Sequence, residues 1–325
     1  MYQPPFTISD EMLSLVAEIS EKIGSLTVMM NNQLPHPLLR KQNRIRTIQS
    51  SLAIENNTLS VEQVTAIVEG KRVLGPPNEI QEAKGAIAAY DLLTDIDPLN
   101  FKDLLKAHSV MMEGLVKELG RWRTGGVGVF GEQGCVHLAP PAMKVPELMG
   151  DLFDWVKKTK THPLISSCVF HYEFEFIHPF ADGNGRMGRL WQTALLAQWR
   201  PIFAWIPIES MVKEHQQEYY DAIASSDKAG NSSTFILFML QCIMNTINEI
   251  ATPKRTPEKT PKDIILELIA ADARVTVKQM SEALGMNKRN AQKHINQLVN
   301  DGVIVRVGPN RGGHWEILHN KQISE

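Results

Sequence analysis

The pattern of apolar and polar residues along the chain is mainly that of amphipathic helices, with apolar positions three and four residues apart. The predicted helices cover residues 11–30, 38–56, 78–95, 99–119, 145–159, 163–178, 186–199, 210–225 and 232–249, and one more begins at a Ser60–Gln63 capping box. From Arg121 to Pro141 the pattern changes to glycines and β-branched residues, which predicts a β-hairpin. The chain is therefore predicted to be a mainly α-helical body that carries one small hairpin.

A second, smaller region follows a linker near the C-terminal end of the chain. Residues 251–261 contain three prolines among threonines and basic residues, a composition typical of linkers. Beyond the linker the pattern predicts three helices and two short strands, at residues 264–269, 277–285, 287–300, 303–307 and 314–318. This order resembles a winged helix-turn-helix domain, with the third helix as the reading helix and the turn at 309–313 as the wing.

The third helix of this region divides into an apolar face and a basic face. Its inward positions are predicted to be Ala291, Ile295 and Leu298. Its outward basic positions, the candidate contacts to DNA, are Lys288, Arg289 and Lys293. A winged-helix module that binds protein and never touches DNA remains the alternative.

The charge of the chain is distributed unevenly between these two regions. Residues 253–325 contain 12 Lys and Arg against 8 Asp and Glu, a charge of +4, whereas the whole chain carries −2. The remainder therefore carries −6. A basic tail on an acidic body favours a module that faces nucleic acid.

The composition is that of an ordinary globular protein. Of 325 residues, 43% are hydrophobic and 22% are charged, and a chain of this length can form two or three domains with cores of their own. The longest apolar run, Phe235–Leu240, is far too short to cross a membrane, and the N-terminus lacks the features of a signal peptide. The three cysteines have no metal-ligand spacing. We therefore expect a cytoplasmic protein without a membrane partner.

Twelve residues, His178–Arg189, gather most of the candidate chemistry of the chain. Their sequence is His-Pro-Phe-Ala-Asp-Gly-Asn-Gly-Arg-Met-Gly-Arg. A histidine can act as a general base, a carboxylate can hold a hard metal ion, and two arginines three residues apart can bind phosphate oxygens. Together these residue types indicate attack on a nucleotide phosphate.

The pattern around this 178–189 motif predicts a helix, a tight loop and a second helix. The stretch from Leu164 to Phe176 predicts a helix with one buried face, and apolar spacing resumes after the motif. Glycines in the loop allow backbone conformations closed to other residues, and the open N-terminus of the second helix favours a bound anion. Arg186 and Arg189 are expected on one face of that helix.

Two other motifs match known signatures only in part. Gly126-x-Gly128-x-x-Gly131 matches the dinucleotide fingerprint but lacks a surrounding βαβ unit, so we assign it to the glycine-rich hairpin. His171-x-Glu173 matches part of a zinc deaminase signature, but the chain has no Pro-Cys-x-x-Cys, so we expect ordinary helix surface there. A Walker A lysine motif is absent, which excludes a P-loop route to ATP.

The 178–189 motif resembles the signature of the Fic family, His-x-Phe-x-(Asp/Glu)-Gly-Asn-Gly-Arg-x-x-Arg, and meets every fixed position. The resemblance extends over roughly residues 30–245. It implies a Fic-type helical bundle, with the hairpin as a flap beside the active site that pairs with the backbone of a target. The expected regions are an N-terminal helical region at 1–100, a catalytic domain at 101–250, the linker at 251–261 and a winged-helix domain at 262–325.

The resemblance also implies a role for each residue of the motif. His178 would take the proton of a target hydroxyl, and Asp182 would hold Mg²⁺ between the α- and β-phosphates of ATP. Arg186 would bind the β-phosphate and Arg189 the γ-phosphate, while Phe180 is expected to be a buried anchor. The nucleotide-binding set is predicted to comprise Gly183, Asn184, Gly185, Arg186, Met187, Gly188, Arg189, Tyr219, Tyr220 and the flap residues Val129 and Phe130. For the two tyrosines, a place in the core is an equal alternative.

A second segment, Ser51-Leu-Ala-Ile-Glu55-Asn56, resembles the Fic inhibitory helix, (Ser/Thr)-x-x-x-Glu-(Gly/Asn). Glu55 falls in the last turn of its predicted helix, where the macrodipole disfavours a carboxylate. Such a local conflict is expected where a charge has a distant partner, and Arg189 is the natural candidate. We therefore predict that Glu55 holds Arg189 away from the γ-phosphate, with an unpartnered surface glutamate as the alternative.

The activity that the resemblance implies is transfer of AMP from ATP to a Ser, Thr or Tyr hydroxyl of a target protein, which can be the chain itself. The same loop is compatible with transfer of another nucleotide, a phosphate or phosphocholine, and with removal of AMP from a modified target. A DNA-binding regulator whose Fic region only senses nucleotide is the alternative from another class. Whether the chain forms a homo-oligomer stays open.

Overall fold

The computed structural model describes residues 2–29, 37–126, 128–131, 134–251, 261–309 and 313–317, without the side chains of the two strands between 128 and 138. Within these residues the chain forms fourteen α-helices and four β-strands. The helices are α1 (Asp10–Met29), α2 (Pro37–Ile54), α3 (Val61–Val68), α4 (Pro77–Asp91), α5 (Phe101–Met111), α6 (Val145–Lys158), α7 (Pro163–Ile177), α8 (Asn184–Trp199), α9 (Ile208–Glu214), α10 (Gln216–Ala229), α11 (Ser233–Ala251), α12 (Pro261–Ala271), α13 (Val277–Ala283) and α14 (Lys288–Asn300). Short 3₁₀ helices lie at Leu92–Thr94, Ala142–Lys144 and Pro201–Trp205. The predicted mainly α-helical fold is confirmed.

The four strands form two antiparallel pairs. β1 (Gly128–Gly131) pairs with β2 (Gly134–Leu138), with a shift of register between Val129 and Phe130. β3 (Ile304–Val307) pairs with β4 (His314–Ile317). The first pair is the predicted hairpin, and the second is the strand pair expected after the third helix of the C-terminal region.

The chain divides into two compact units, Met1–Ala251 and Thr252–Glu325. In the first unit, one continuous apolar core includes residues of α1 and α2 together with residues of α7, α8 and α11. The N-terminal helices and the helices around the 178–189 motif therefore share a core. No helix in the described part of the chain is long and apolar enough to cross a membrane.

Helix α7 lies at the centre of this core. Twelve of its fifteen residues are buried, since α6, α8 and α11 pack around it. The predicted single buried face is therefore wrong: a helix surrounded on all sides buries its polar residues as well as its apolar ones.

Two predicted helices differ in length from those in the structure. The helix predicted at 99–119 ends at Met111, and Gly114 and Gly120 beyond it have φ values of 77° and 60°, which a continuing helix excludes. The helix predicted at 210–225 is divided at His215 into α9 and α10. In both stretches the apolar spacing continues past a point where the backbone turns.

The second unit has a small apolar core formed by α12, α13, α14 and the β3–β4 pair. The residues of α14 that face this core are Ala291, Ile295 and Leu298, as predicted. The exposed basic residues of the same helix are Lys288, Arg289 and Lys293. A basic face of α14 is therefore open to solvent within this unit.

Candidate active site

The loop between α7 and α8 begins at a residue with a left-handed backbone. α7 ends at Ile177, and His178 has φ 50° and ψ 61°, with its N–H donating to the carbonyl of Phe174 at 2.9 Å. Among the described residues other than glycine, positive φ occurs at His178 and Asn56 alone. This conformation costs free energy in a histidine, and such residues cluster at functional sites. The helix predicted at 163–178 thus ends one residue earlier, at the candidate base.

The side chain of Asn184 fixes the shape of this loop. It accepts the N–H of Phe180 and donates to the carbonyl of the same residue, both at 2.9 Å, and it is buried. Phe180 is itself buried, as predicted, and stacks on His108 with ring centroids 3.7 Å apart. Because both polar atoms of the Asn184 side chain have partners, the predicted contact with phosphate is left to its backbone N–H.

The glycines of the motif leave space around the first turn of α8. Gly183 has φ 82°, which favours glycine, and a Cβ on Gly185 would overlap the carboxylate of Glu55. Met187 is fully buried and belongs to the core. The free N–H groups and the dipole at this helix end favour an anion.

Arg186 is buried beside this helix end and has few partners. Its Nη2 lies 3.4 Å from Oδ1 of Asp182, and its Nη1 lies 3.8 Å from Oε1 of Glu82. Within the described residues, Nε and Nη1 of Arg186 are buried and have no hydrogen-bond acceptor. Buried guanidinium nitrogens without acceptors are costly, and an anion with several oxygens would satisfy them. The donors required by the predicted phosphate ligand are therefore present.

Asp182 presents a carboxylate to solvent at the same loop. Its side chain is 60% exposed, and Oδ1 accepts the N–H of Gly183 at 2.6 Å. Among the residues that the structure describes, no group of three or more His, Cys, Asp or Glu side chains is placed to hold a metal ion. A magnesium ion at Asp182 would therefore take its other ligands from phosphate oxygens and water, as Mg²⁺ commonly does in nucleotide sites.

His108 supports this loop from α5. Its Nδ1 accepts the N–H of Gly120 at 3.1 Å, so the proton lies on Nε2, which donates to the carbonyl of Asp182 at 3.1 Å. Burial lowers the pKa of His108, and the nearby Arg186 adds to this effect, while Asp182 opposes it in part. His108 is therefore a neutral residue that fixes the backbone at the candidate metal ligand.

Arg189 lies one turn farther along α8 and is held by the end of α2. Its Nε donates to Oγ of Ser51 at 3.0 Å, and its Nη2 donates to the carbonyl of Ser51 at 2.9 Å and to Oε1 of Glu55 at 2.8 Å. Arg189 and Ser51 are buried, whereas 35% of the Glu55 side chain is exposed. Burial by itself lowers the pKa of Arg189, but Glu55, together with Tyr219 and Glu175, raises that pKa above its ordinary value overall. The structure thus brings together the two residues that the sequence pairs.

The end of α2 determines where Glu55 lies. The N–H of Asn56 donates to the carbonyl of Ala53 and the N–H of Asn57 donates to that of Leu52, both at 3.2 Å, which is the pattern of a Schellman C-cap. Asn56 takes the left-handed position of this cap, with φ 65°. Glycine and asparagine are the residues that tolerate this position best. Glu55 therefore lies directly after the helix, rather than in its last turn.

Three side chains from α9 and α10 donate hydrogen bonds to the last carbonyls of α2. Nζ of Lys213 donates to the carbonyl of Ala53 at 2.8 Å. Nε2 of Gln216 and the hydroxyl of Tyr220 donate to the carbonyl of Ile54, at 2.9 and 3.2 Å. These carbonyls have no partner inside the helix, and the helix dipole favours a cation at this end. The residues before Glu55 are therefore fixed by contacts that the sequence does not reveal.

The two adjacent tyrosines have different surroundings. Tyr219 is buried, and its hydroxyl lies 3.2 Å from Nε2 of His171 in the core. Tyr220 is 43% exposed beside the end of α2. Of the two, Tyr220 is the one accessible to a ligand. The side chains of the predicted flap contacts Val129 and Phe130 lie outside the described residues.

The prediction of helix surface for His171 and Glu173 is wrong. His171 is fully buried, with Nδ1 2.6 Å from Oε1 of Gln192 and Nε2 3.6 Å from Oε1 of Glu175. Glu173 is buried and accepts the hydroxyl of Tyr2. Because α7 is surrounded by other helices, its polar side chains find partners on other elements rather than in solvent.

The chain matches the family model of the Fic/DOC family at residues 98–196 and that of winged helix-turn-helix DNA-binding domains at residues 261–305. It is also 45% identical to a Fic family protein from Desulfovibrio desulfuricans G20, whose crystal structure aligns over 99% of this chain and 100% of that chain with a TM-score of 0.76. This chain belongs to the Fic/DOC family. The predicted family and the winged helix-turn-helix at the C-terminus of this Fic protein are thereby confirmed.

The Fic protein also has more distant relatives. It is 27% identical over 242 residues to the protein adenylyltransferase Fic of Aedes aegypti and 27% identical over 253 residues to that of Nematostella vectensis. These matches cover 71% and 74% of this chain but 46% and 56% of the relatives, so the chain spans about half the length of the curated relatives it matches. Fic-1 (residues 134–508) from C. elegans has the same fold, with a TM-score of 0.62 and 23% identity over 76% of this chain and 73% of that one. The curated relatives are named as protein adenylyltransferases.

Proposed function

We propose that this Fic protein is a protein adenylyltransferase, which transfers AMP from ATP to a hydroxyl of a protein, and that Glu55 inhibits it from within the chain. The observation that carries the proposal is the pair of buried arginines in the first turns of α8. Arg186 offers buried donors that have no acceptor among the described residues, and Arg189 is paired with Glu55. The names of the curated relatives support AMP as the transferred group.

His178 lies at the start of the loop that leads to these arginines, and it is the candidate general base. It would take the proton of the target hydroxyl while the hydroxyl oxygen attacks the α-phosphorus of ATP. The bond from that phosphorus to the bridging oxygen breaks, and pyrophosphate leaves with its oxygens held by Arg186 and Arg189. Backbone N–H groups at the start of α8 would stabilise the negative charge on the α-phosphate.

Asp182 is the residue that would hold Mg²⁺ together with oxygens of the nucleotide. When bound, the ion would offset the negative charge of the phosphates. The exposed carboxylate of Asp182, directly before α8, supports this role.

Glu55 would inhibit the reaction by occupying donors that the nucleotide needs. Its carboxylate accepts a hydrogen bond from Arg189 and fills the space beside Gly185 at the N-terminus of α8. A γ-phosphate requires the same guanidinium, so that carboxylate and phosphate compete for it. The exposed fraction of Glu55 supports this role, because a carboxylate at the surface can move away without unfolding the core.

The mass of the intact Glu55→Gly chain, measured after incubation with Mg²⁺ and ATP, tests the proposal. We expect an increase by one or more AMP groups, and no increase when His178→Ala is added in the same background. Undiminished labelling by the His178→Ala chain would refute the assigned base. A gain of phosphate alone, a gain from UTP or GTP in place of ATP, or loss of AMP from a modified chain would favour the corresponding alternative.

We also propose that the second unit binds duplex DNA through α14. The basic face formed by Lys288, Arg289 and Lys293 is exposed, and the match to winged helix-turn-helix DNA-binding domains supports this use. The full chain is expected to shift a random duplex in a gel at low salt, and to lose binding as salt rises or when the three residues are replaced. A chain that shifts no duplex at low salt would favour the protein-binding alternative.

A further inference from the structure

A buried arginine outside the 178–189 motif holds four backbone carbonyls around the candidate active site. Arg123 is 3% exposed. Its Nε donates to the carbonyl of His178 at 2.7 Å, and one Nη donates to that of Gly125 at 2.9 Å. The other Nη donates to the carbonyls of Pro140 and Ile177. Arg123 therefore connects segments that are far apart along the chain.

Two of these carbonyls belong to the end of α7. Ile177 is the last residue of the helix and His178 directly follows it, so their carbonyls have no partner inside the helix. The helix dipole favours a cation at this end, and the planar guanidinium has five N–H donors with which to reach several carbonyls at once. A lysine ammonium has three donors at a single point and cannot reproduce this arrangement.

The other two carbonyls belong to the two ends of the hairpin. Gly125 precedes β1 by three residues, and Pro140 follows β2 by two residues. Within the described residues β1 and β2 form a sheet of two strands, so the hairpin has outer edges whose backbone groups can pair with an extended segment of another chain. The guanidinium of Arg123 thus contacts both ends of this hairpin and the end of α7, where His178 lies.

We infer that Arg123 is a positioning residue that fixes the hairpin relative to His178, and that the hairpin thereby sets where the hydroxyl of a protein substrate lies before the base. This inference rests on the proposed function, because it requires transfer to a protein. The geometry of a reaction is sensitive to such placement, since a displacement of about 1 Å can cost on the order of a hundredfold in rate.

Transfer of AMP to water provides an internal reference for this role. Water attacks the same α-phosphorus with the same base and releases AMP and pyrophosphate, but it needs no support from a hairpin. A displaced hairpin is therefore expected to reduce transfer to protein more than hydrolysis of ATP to AMP.

The test compares these two reactions in one mixture. The donor enzyme is the Glu55→Gly chain with or without Arg123→Lys, and the acceptor is a tagged full-length His178→Ala chain. Arg123→Lys is expected to lower the ratio of protein labelling to AMP release about tenfold or more, with the KM for ATP changed by less than about twofold. The matched control is Arg121→Lys, since Arg121 is exposed and its guanidinium donates to the nearby carbonyl of Lys117 rather than to the hairpin or to α7. An unchanged ratio, or an equal loss of both reactions, overturns the inference.

Hydrogen exchange gives a second measurement that does not depend on catalysis. In the otherwise wild-type chain, Arg123→Lys is expected to raise exchange at Gly128–Gly131 and Gly134–Leu138 and to leave the amides of α8 unchanged. Unchanged exchange in the hairpin overturns the inference even where labelling falls. If the Glu55→Gly chain labels no protein at all, the proposed function fails, and the exchange measurement then decides by itself whether Arg123 holds the hairpin.

Discussion

Arg186 and Arg189 lie one turn apart on α8, and they differ in the hydrogen-bond acceptors that surround their guanidinium groups. Both side chains are buried at the same end of the helix. Arg189 donates to two oxygens of Ser51 on α2 and to the carboxylate of Glu55, which directly follows that helix. Arg186 has two carboxylates at 3.4 and 3.8 Å and two buried nitrogens that have no acceptor among the described residues. Arg189 is hydrogen-bonded to an anion of the chain at 2.8 Å, whereas Arg186 keeps two nitrogens that an anion from outside could bind.

In the proposed function, this difference would separate the residue that binds the nucleotide from the residue through which binding is inhibited. Two buried nitrogens of Arg186 have no acceptor among the described residues, so a phosphate at Arg186 would provide hydrogen bonds that the folded chain does not supply there. In the proposed function, the γ-phosphate would first have to displace Glu55 from Arg189. The two positions should therefore respond differently to substitution, both in activity and in stability.

The largest effect is expected from loss of Arg186. Arg186→Met should lower AMP labelling about a hundred- to a thousandfold, because it removes the donors that stabilise charge on the phosphates. The loss should be equal in the wild-type and Glu55→Gly backgrounds. Initial rates at saturating ATP measure it.

Thermal unfolding provides the matched contrast for this substitution. Arg186→Met should leave the midpoint of thermal unfolding unchanged or raise it, because it removes a buried charge that has few partners. Arg189→Met should lower that midpoint, because it leaves Glu55 and Ser51 without their donor. Equal losses of stability at the two positions would contradict the difference between them.

The next largest effect is expected from release of Arg189. Glu55→Gly should raise labelling about ten- to a hundredfold, because a hydrogen bond between charged groups contributes roughly 1.5–3 kcal/mol. The 35% exposure of the Glu55 side chain favours the lower end through solvent screening. Initial rates of AMP labelling at saturating ATP check this.

Two further variants separate the charge of Glu55 from its size. Glu55→Gln keeps the shape and one acceptor, and it should give an intermediate rate. Arg189→Ala should stay inactive in the Glu55→Gly background, because the group that Glu55 occupies is then missing. Rates of the wild-type and Glu55→Gly chains within a factor of about two would refute built-in inhibition.

The pairing of Glu55 with Arg189 is predictable from sequence because both residues carry local signs. Glu55 follows a helix whose dipole disfavours it, and Arg189 closes a dense motif. No such feature of the local sequence points to a partner for His108, Arg123 or Lys213. Each bonds to backbone groups on a distant element, and since every residue has a carbonyl, no partner can be inferred from residue type.

The fold is predictable to a similar extent and for a similar reason. Helical periodicity predicts most of the elements, since it is a property of local sequence. It does not predict that Gly114 ends α5 early, or that the polar residues of α7 are buried among other helices. Asn184 is predictable only in part: the sequence predicts its place in the motif but not its hydrogen bonds to Phe180.

A smaller effect is expected from the contacts that fix the end of α2. Lys213→Met removes a donor from the carbonyl of Ala53, two residues before Glu55. Labelling should rise about two- to tenfold, in keeping with roughly 0.5–1.5 kcal/mol for one hydrogen bond. In the Glu55→Gly background the same substitution should have no further effect, because no inhibitory carboxylate remains to be placed. Initial labelling rates of the four chains measure this coupling.

The matched control for Lys213 is Lys228→Met, which replaces an exposed lysine of α10. It should leave labelling unchanged in both backgrounds. A rise for Lys213→Met of equal size with and without Glu55 would mean that Lys213 acts on the site independently of the inhibitory contact.

The smallest effect is expected in the dependence of stability on pH, and it arises from His108, which lies near Arg186. Burial lowers the pKa of His108. The carbonyl and the carboxylate of Asp182 oppose this shift in part, the charge of Arg186 adds a smaller lowering, and the net shift is downward. As pH falls below about 6.5, the unfolded chain binds a proton that the folded chain resists. The stability that neutral His108 contributes is therefore complete above that pH, and it is lost as pH falls toward and through the folded-state pKa.

His108→Gln isolates this contribution, because glutamine offers one donor for the Asp182 carbonyl and one acceptor for the Gly120 N–H without titrating. Between about pH 7.5 and about pH 5.5, the thermal midpoint of the wild-type chain should fall more than that of the variant. Bound ATP should narrow the gap, since phosphate beside Arg186 offsets the charge that opposes protonation of His108. Arg189 is expected to give no such dependence of the thermal midpoint on pH, because its guanidinium stays charged throughout this range. Equal pH profiles for the two chains would mean that folding does not lower the pKa of His108, and an unchanged gap with bound ATP would mean that the charge of Arg186 does not contribute to that shift.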